Sequence, residues 1–287
     1  MLRVVCLLVV ALAAQDEQKT LPELKSFLAE FRKTLHSDEL LLSQYTFTRK
    51  ETLIRLDSDQ KPKDSKVNVY EVFPGSSERA GYRRRVVKDG VRLTGGELKK
   101  EDEDLRRRIQ SKERKLREET PAEREKARAE KLREEERILD DMFALYGVRI
   151  LRREMLGGRT VIVADFTPRP DYKPKTSEGK NGQHVGGRAW ISEDDHQLAR
   201  LELEVFEPIS IGFGILAKLQ KGAHITVERQ KFNDEIWLPV KTEVEMSFRF
   251  LMLKGFNFRQ IVEYSDHRKY SVDTILKFPD QVTPPGP

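Results

Sequence analysis

Val240-Lys241-Thr242-Glu243-Val244-Glu245-Met246-Ser247-Phe248-Arg249-Phe250 sets apolar side chains against charged or polar ones at every second position for most of its length. Period two is the spacing of a β-strand with one dry and one wet face. The same pattern stands earlier in the chain, where Leu201, Leu203 and Val205 alternate with Arg200, Glu202 and Glu204. Strands of this kind assemble into an antiparallel sheet whose apolar side needs a cover.

Working outward, strand patterns follow one another at short intervals. Tyr45 to Leu56 alternates and ends at the turn-rich Asp57-Ser58-Asp59-Gln60-Lys61-Pro62. Val67 to Phe73 closes at Pro74-Gly75, and Tyr82 to Leu93 carries Asp89-Gly90, the dipeptide of a tight hairpin. Val148 to Glu154 and Thr160 to Phe166 form a hairpin around Leu156-Gly157-Gly158. Further strands are expected at 188–192, 197–207, 223–232, 236–250 and 256–270, with turns at Glu193-Asp194-Asp195 and Asn233-Asp234-Glu235. Many strands joined by short turns, without alternating helices, describe an antiparallel meander. Residues 168–187, rich in Pro, Gly, Lys and Ser, read as a long mobile loop.

Two segments are helical. Leu24, Phe27, Leu28, Phe31 and Leu35 make the stripe of an amphipathic helix, begun near Thr20 and Pro22, that covers one side of the sheet. Residues 97–137 hold 14 acidic and 15 basic side chains in 41 positions, with opposite charges four apart at Glu103/Arg107, Asp104/Arg108 and Glu113/Arg117. Thr120-Pro121-Ala122-Glu123 has the form of a capping box with proline at the first helical position, so one helix ends and another begins there. Leu98, Leu105, Ile109 and Leu116 give a thin seam on the first helix, and Leu132, Leu139 and Phe143 on the second. The arm at 97–143 reads as an antiparallel helical hairpin, with one long bent helix as the competitor. It is expected to project, anchored at its base by Met142, Phe143 and Leu145, either as a solvated spacer or as a partner-binding arm.

The chain opens with Met1-Leu2-Arg3, an apolar run from Val4 to Ala14, and an abrupt polar turn at Gln15-Asp16-Glu17. A short basic start, about a dozen apolar residues and small side chains at Ala11, Ala13 and Ala14 describe a signal peptide at 1–14. Cys6 lies inside that apolar run, so the mature protein has no cysteine and no disulfide or thiolate chemistry. The expected organisation is one domain over 15–278 and an unstructured tail at 279–287. A net charge of +5 on a chain that is 35% charged residues argues against nucleic acid. The localisation that follows is exported, periplasmic or associated with an outer membrane.

The order of signal peptide, amphipathic helix and antiparallel strands, with Arg188-Ala189-Trp190-Ile191-Ser192, the charged return strand Leu198 to Val205 and Asp234-Glu235-Ile236-Trp237-Leu238-Pro239, resembles the outer-membrane lipoprotein-sorting proteins of the LolA/LolB-like superfamily. The resemblance spans roughly 21–95 and 147–272 and is closest to exported bacterial members carrying that domain. It implies an α+β fold, a curved antiparallel sheet (half-barrel) with an N-terminal amphipathic helix and a charged helical-hairpin insertion. It also implies an apolar concave face for acyl chains or another apolar ligand. The arm departs from the simple carrier pattern, which leaves binding, rather than lipoprotein transfer, as what the resemblance implies.

Chemical motifs are lacking. His36, His184, His196, His224 and His267 stand at no metal-ligand spacing, and Asp194-Asp195-His196 reads as a solvated turn. There is no nucleophile elbow, phosphate loop or dinucleotide fingerprint. The sequence therefore points to no enzyme, no catalytic residue, no metal and no cofactor. The expected function is binding or carrying lipid or lipoprotein acyl chains on the concave sheet face. Alternation selects Phe47, Trp190, Leu201, Leu203, Val205, Ile225, Val227, Val244, Met246 and Phe248 as its lining. Ile209 to Leu219, the most apolar internal run, either plugs the core or forms a lip. The alternative function is a non-enzymatic interaction or assembly protein that binds an envelope protein through 97–143.

Overall fold

Alternation along the chain becomes a thirteen-stranded antiparallel sheet whose strand order starts at one edge and ends at another without closing. The structure, a computed structural model, describes residues 20–35, 45–73, 82–211, 217–250 and 253–269. The expected signal peptide, the tail and the Pro74-Gly75 turn lie outside the described residues. The strands are β1 (Tyr45–Leu56), β2 (Pro62–Phe73), β3 (Tyr82–Lys88), β4 (Val91–Arg92), β5 (Tyr146–Leu156), β6 (Arg159–Pro168), β7 (Val185–Ser192), β8 (Leu198–Val205), β9 (Ile209–Ile211), β10 (Ala217–Leu219), β11 (His224–Phe232), β12 (Ile236–Phe250) and β13 (Leu253–Lys269).

The order across the sheet is β4-β3-β2-β1-β13-β12-β11-β8-β7-β6-β5. The chain enters in the middle at β1 and builds outward to the β4 edge. It then crosses to the β5 edge and returns inward to β13, which pairs with β1 from Tyr45↔Lys269 to Leu56↔Asn257. Tight turns set the registers. Asp89 and Gly90 have φ of 48° and 83°, and Gly157 and Gly158 have 57° and 78°. Those left-handed pairs suit two-residue hairpins, whose twist matches that of the strands. Ile209 to Leu219 supplies β9 and β10, a small hairpin that pairs with the end of β12. Leu219 and Ile209 pack there against Val205 and Ala223, and residues 212–216 of that segment lie outside the described residues.

Paired residues share a face, so register sorts the side chains into two sides. Helix α1 (Leu24–Thr34) lies on one of them. Phe27, 3% exposed, packs with Ile162, Ala189 and Ile191, and Phe31 joins the same cluster. The helix begins two residues later than the start expected at Pro22: the Glu23 carboxylate accepts from the amides of Lys25 (2.8 Å) and Ser26 (2.7 Å). The opposite face is charged over most strands and, among the described residues, carries the apolar cluster Val161, Val163, Trp190, Ala199 and Trp237.

Asp195 belongs to that opposite face and is a fixed anchor, which corrects the reading of Asp194-Asp195-His196 as a solvated turn. Its carboxylate accepts from the Trp237 indole N–H (2.9 Å) and the Lys231 ammonium (2.8 Å). Burial alone would raise its pKa, but these donors outweigh burial and hold it down at about 2.

The insertion forms α2 (Gly95–Glu118) and α3 (Pro121–Leu145), separated at Thr120 by the expected capping box. Because β4 and β5 are the two edges, these helices connect one edge of the sheet to the other. The first is docked on β3, where Asp102 holds Arg84 (2.5 Å), Glu101 holds Arg85 (2.6 Å) and Leu105 is buried. The last turns of α3 are docked as expected near Phe143 and Leu145. Leu145 is fully buried, and Arg32 of α1 reaches Glu136 (2.8 Å) and Asp140 (2.7 Å) while lying over the Phe143 ring. Between these anchorages the second seam is open, with Leu132 47% exposed.

Residues 168–187 are pinned rather than mobile. The short helix α4 (Ser177–Gly182) lies in this stretch, and buried Asp141 of α3 accepts from Tyr172 Oη (2.8 Å), the Lys175 amide (2.9 Å) and both the amide (2.8 Å) and hydroxyl (2.6 Å) of Thr176. Gly179 is needed because a Cβ there would come within 2.2 Å of the Asp141 carboxylate. Composition alone had no view of that aspartate, 35 residues away.

Two outcomes follow. Phe27→Ala empties a fully packed site and should lower unfolding stability by about 3 kcal/mol, read from urea denaturation; a loss below about 1 kcal/mol would mean α1 is not part of the core. Asp195 has a depressed folded pKa, so its contribution is complete above the ordinary carboxylate range and lost as pH falls from about 4 towards about 2. Asp195→Asn should be less stable at neutral pH yet lose less stability across that window; an unchanged acid slope would refute the assignment.

Candidate ligand-binding face

The α1 side of the sheet is built from cross-strand rows. One runs Ala189–Leu201–Val227–Thr242–Val262 through β7, β8, β11, β12 and β13. The next runs Gly187–Leu203–Ile225–Val244–Gln260, and beyond it Met246 pairs with Phe258 and Phe248 with Phe256. Alternation in each strand sends the charged partners to the other side. There Lys241, Glu243 and Arg259 form ion pairs, as do Lys50 and Glu263.

Nine of the ten residues expected to line a ligand site share this face, but in different settings. Leu201 packs into the cluster under α1, and Val205 is buried among Leu219, Ala223 and Ile209, so both serve the core. Leu203, Ile225, Val227, Val244, Met246 and Phe248 are half-buried. Phe47 sits apart in an aromatic group with Tyr264 (5.8 Å) and His267 (5.6 Å). Burial lowers the His267 pKa, opposed by a hydrogen bond with the Pro239 backbone.

Trp190 is on the opposite face. It pairs with Arg200 and Val163, donates its indole N–H to Glu154 (2.6 Å) and lies between the guanidiniums of Arg188 and Arg200. One residue of register separates it from Ala189, which is on the α1 side. Four face residues escaped the sequence reading: Phe256, Phe258, Val262 and Tyr264 of β13. Gln260 and Ile261 interrupt the alternation of that strand, and the signal was the Phe256-x-Phe258 spacing. Phe258 stacks between Phe248 (6.0 Å) and Phe256 (5.3 Å).

The apolar rows have defined limits. Under β5 to β8 they are covered by α1. Past β13 they turn polar, because Val262 pairs with Glu51 and Gln260 with Leu53, which pairs in turn with Lys66. On the other side of the sheet a cleft of about 720 Å³ is lined by Arg149, Asp165, Arg188, Glu202 and Phe206 among others. Arg188 (2.8 Å) and Arg149 (3.5 Å) both satisfy Asp165, so this cleft is wet and internally paired. Among the described residues no group of three or more His, Cys, Asp or Glu is placed to hold a metal ion. No helix among them is long and apolar enough to cross a membrane.

No protein-family model and no curated protein matches the sequence. Solved structures are similar at low identity. One is a Vibrio parahaemolyticus domain named for outer membrane lipoprotein sorting, 8% identical over 86% of this chain and 92% of that one, with a TM-score of 0.34. A LolA superfamily protein from Nitrosomonas europaea is 11% identical over 90% and 96%, with a TM-score of 0.27. The MucA/MucB complex of Pseudomonas aeruginosa contains a chain 11% identical over 86% and 98%, with a TM-score of 0.22. The likeness is thus to LolA-superfamily and lipoprotein-sorting-domain structures.

Proposed function

We propose that this protein binds or carries an apolar ligand, such as a lipid or lipoprotein acyl chain, on the α1 side of its sheet in the bacterial cell envelope. The observation that carries the reading is the set of half-buried side chains on β8, β11 and β12, backed by an opposite face of ion pairs. Leu203, Ile225, Val227, Val244, Met246 and Phe248 offer contact without a polar group to orient or react. Affinity comes from burial at about 0.8 kcal/mol per methylene, reduced by the cost of ordering the ligand. Such a surface holds a chain by area rather than shape, as a carrier requires, and nothing in it asks for catalysis.

Val244→Glu places a charge in the middle row and should weaken a fluorescent fatty acid by at least about tenfold, because a carboxylate must be desolvated or the chain displaced. Glu245→Ser, next in sequence but on the wet face, should leave binding unchanged. Wild-type protein that takes up no fatty acid, and shows no co-purifying lipid by native mass spectrometry, would end the carrier reading.

A second reading, an assembly protein that recruits an envelope partner through α2 and α3, is favoured by the open middle of the insertion, where Leu132 is exposed. Leu132→Glu should leave stability within about 0.5 kcal/mol of wild type while abolishing any cross-linked envelope partner; retention of the partner would remove the arm from that role.

A further inference from the structure

Beside the apolar rows the same face carries a ladder of alternating tyrosine and arginine across four strands. Tyr264 of β13 pairs with Arg49 of β1, Arg49 with Tyr70 of β2, and Tyr70 with Arg85 of β3. Tyr264 is two residues from Val262, so the ladder begins about 7 Å along β13 from an apolar row. One row further on, Phe47 pairs with Val72 and Val72 with Arg83. Helix α2 leans over β3 beside an open cleft of about 580 Å³ lined by Arg83, Arg85, Arg107 and Arg108 together with the carboxylates of Glu101 and Asp104.

Those carboxylates are committed. Glu101 takes Arg85 (2.6 Å) and Asp104 takes Arg107. Arg108 instead donates to the backbone carbonyls of Arg83 (2.9 Å) and Asp104 (3.3 Å), which are neutral. Arg83 lies over the Tyr70 ring at 5.2 Å, and its paired carboxylate is Glu51 at 4.0 Å. Glu51 is already held by Arg49 at 3.0 Å. The Arg49 Nε–H is buried without a hydrogen-bond partner among the described residues, an orphan donor at the inner end of the cluster. A buried guanidinium N–H without an acceptor is costly, and an oxyanion supplies one. Planar guanidinium forks suit phosphate or carboxylate oxygens, and tyrosine rings keep the cations ordered without neutralising them.

We infer that the Arg49, Arg83 and Arg108 cluster, walled by the insertion, binds the anionic headgroup of an amphiphile whose chain lies on the neighbouring apolar rows. The inference rests on the proposed apolar-ligand reading and narrows its ligand to an acyl or alkyl chain ending in a phosphate or carboxylate. It also gives α2 a part in the site, since Arg107, Arg108 and the two carboxylates come from that helix.

The test is calorimetric titration below micelle concentrations with dodecyl phosphate, dodecanoate, dodecyl maltoside and inorganic phosphate. Both anionic amphiphiles should bind at least about tenfold more tightly than the maltoside, and inorganic phosphate alone should neither bind nor compete. Arg83→Gln with Arg108→Gln should abolish that advantage while leaving maltoside affinity as in wild type. Raising salt to 0.5 M should shrink the advantage in wild type only. Equal affinity for all three amphiphiles, unchanged in the double variant, would overturn the headgroup inference and leave the apolar-face reading standing. Competition by inorganic phosphate at similar affinity would overturn it too, marking a separate anion site. No binding of any amphiphile would overturn both. Circular dichroism of the double variant keeps a folding defect from being mistaken for lost recognition.

Discussion

Cross-strand pairing keeps both partners on one side of an antiparallel sheet, and that constraint governs everything else in this molecule. Once Val244 is opposite Ile225, and Ile225 opposite Leu203, three strands must present their apolar sets together. The intervening charges then have nowhere to go but the other side, where they pair with each other. The helix stripe centred on Phe27 packs on the apolar side. A slip of one residue would reverse all of it, so register has to be held firmly, and the left-handed turns at Asp89-Gly90 and Gly157-Gly158 do so locally.

The two sides have different economies. The charged side is stabilised by solvated pairs that each contribute little, apart from Asp195, where an ion pair and an indole N–H converge on a shielded carboxylate. The apolar side has its covered part under α1 and its less covered part over β11 to β13. Uneven cover of this kind is what a binding surface needs: a rigid, packed region to hold the strands in place and an adjoining region with contact still to make.

Much of this was legible in the sequence, because period-two alternation is a direct imprint of sheet geometry. The strands, the hairpins, the helix stripe and the break at Thr120 were all readable, and nine of the ten selected residues fall on one face. What local reading could not see was partnership at a distance. Trp190 looks like its neighbours until pairing with Arg200 puts it on the other side. The 168–187 stretch looks loose until Asp141 gathers its amides. Arg84 and Arg85 are adjacent in the sequence, yet only Arg85 joins the tyrosine ladder, and both take carboxylates from α2. Each of these depends on which strands are neighbours, and that order is not written in any single window.

The pairing of β1 with β13 has a consequence for assembly. Tyr45 and Lys269 are partners across roughly 220 residues, so the central seam of the sheet closes the longest loop in the chain, at the greatest entropic cost. Shorter-range hairpins on either flank have no such barrier and form sooner. The seam divides the native sheet into β1 to β4 on one side and β5 to β13 on the other, two parts joined in sequence through α2 and α3. Arg49 and Arg83 stand on the β1 side of that seam and the apolar rows on the β13 side, so the two parts of the proposed amphiphile site adjoin only where β1 and β13 are paired.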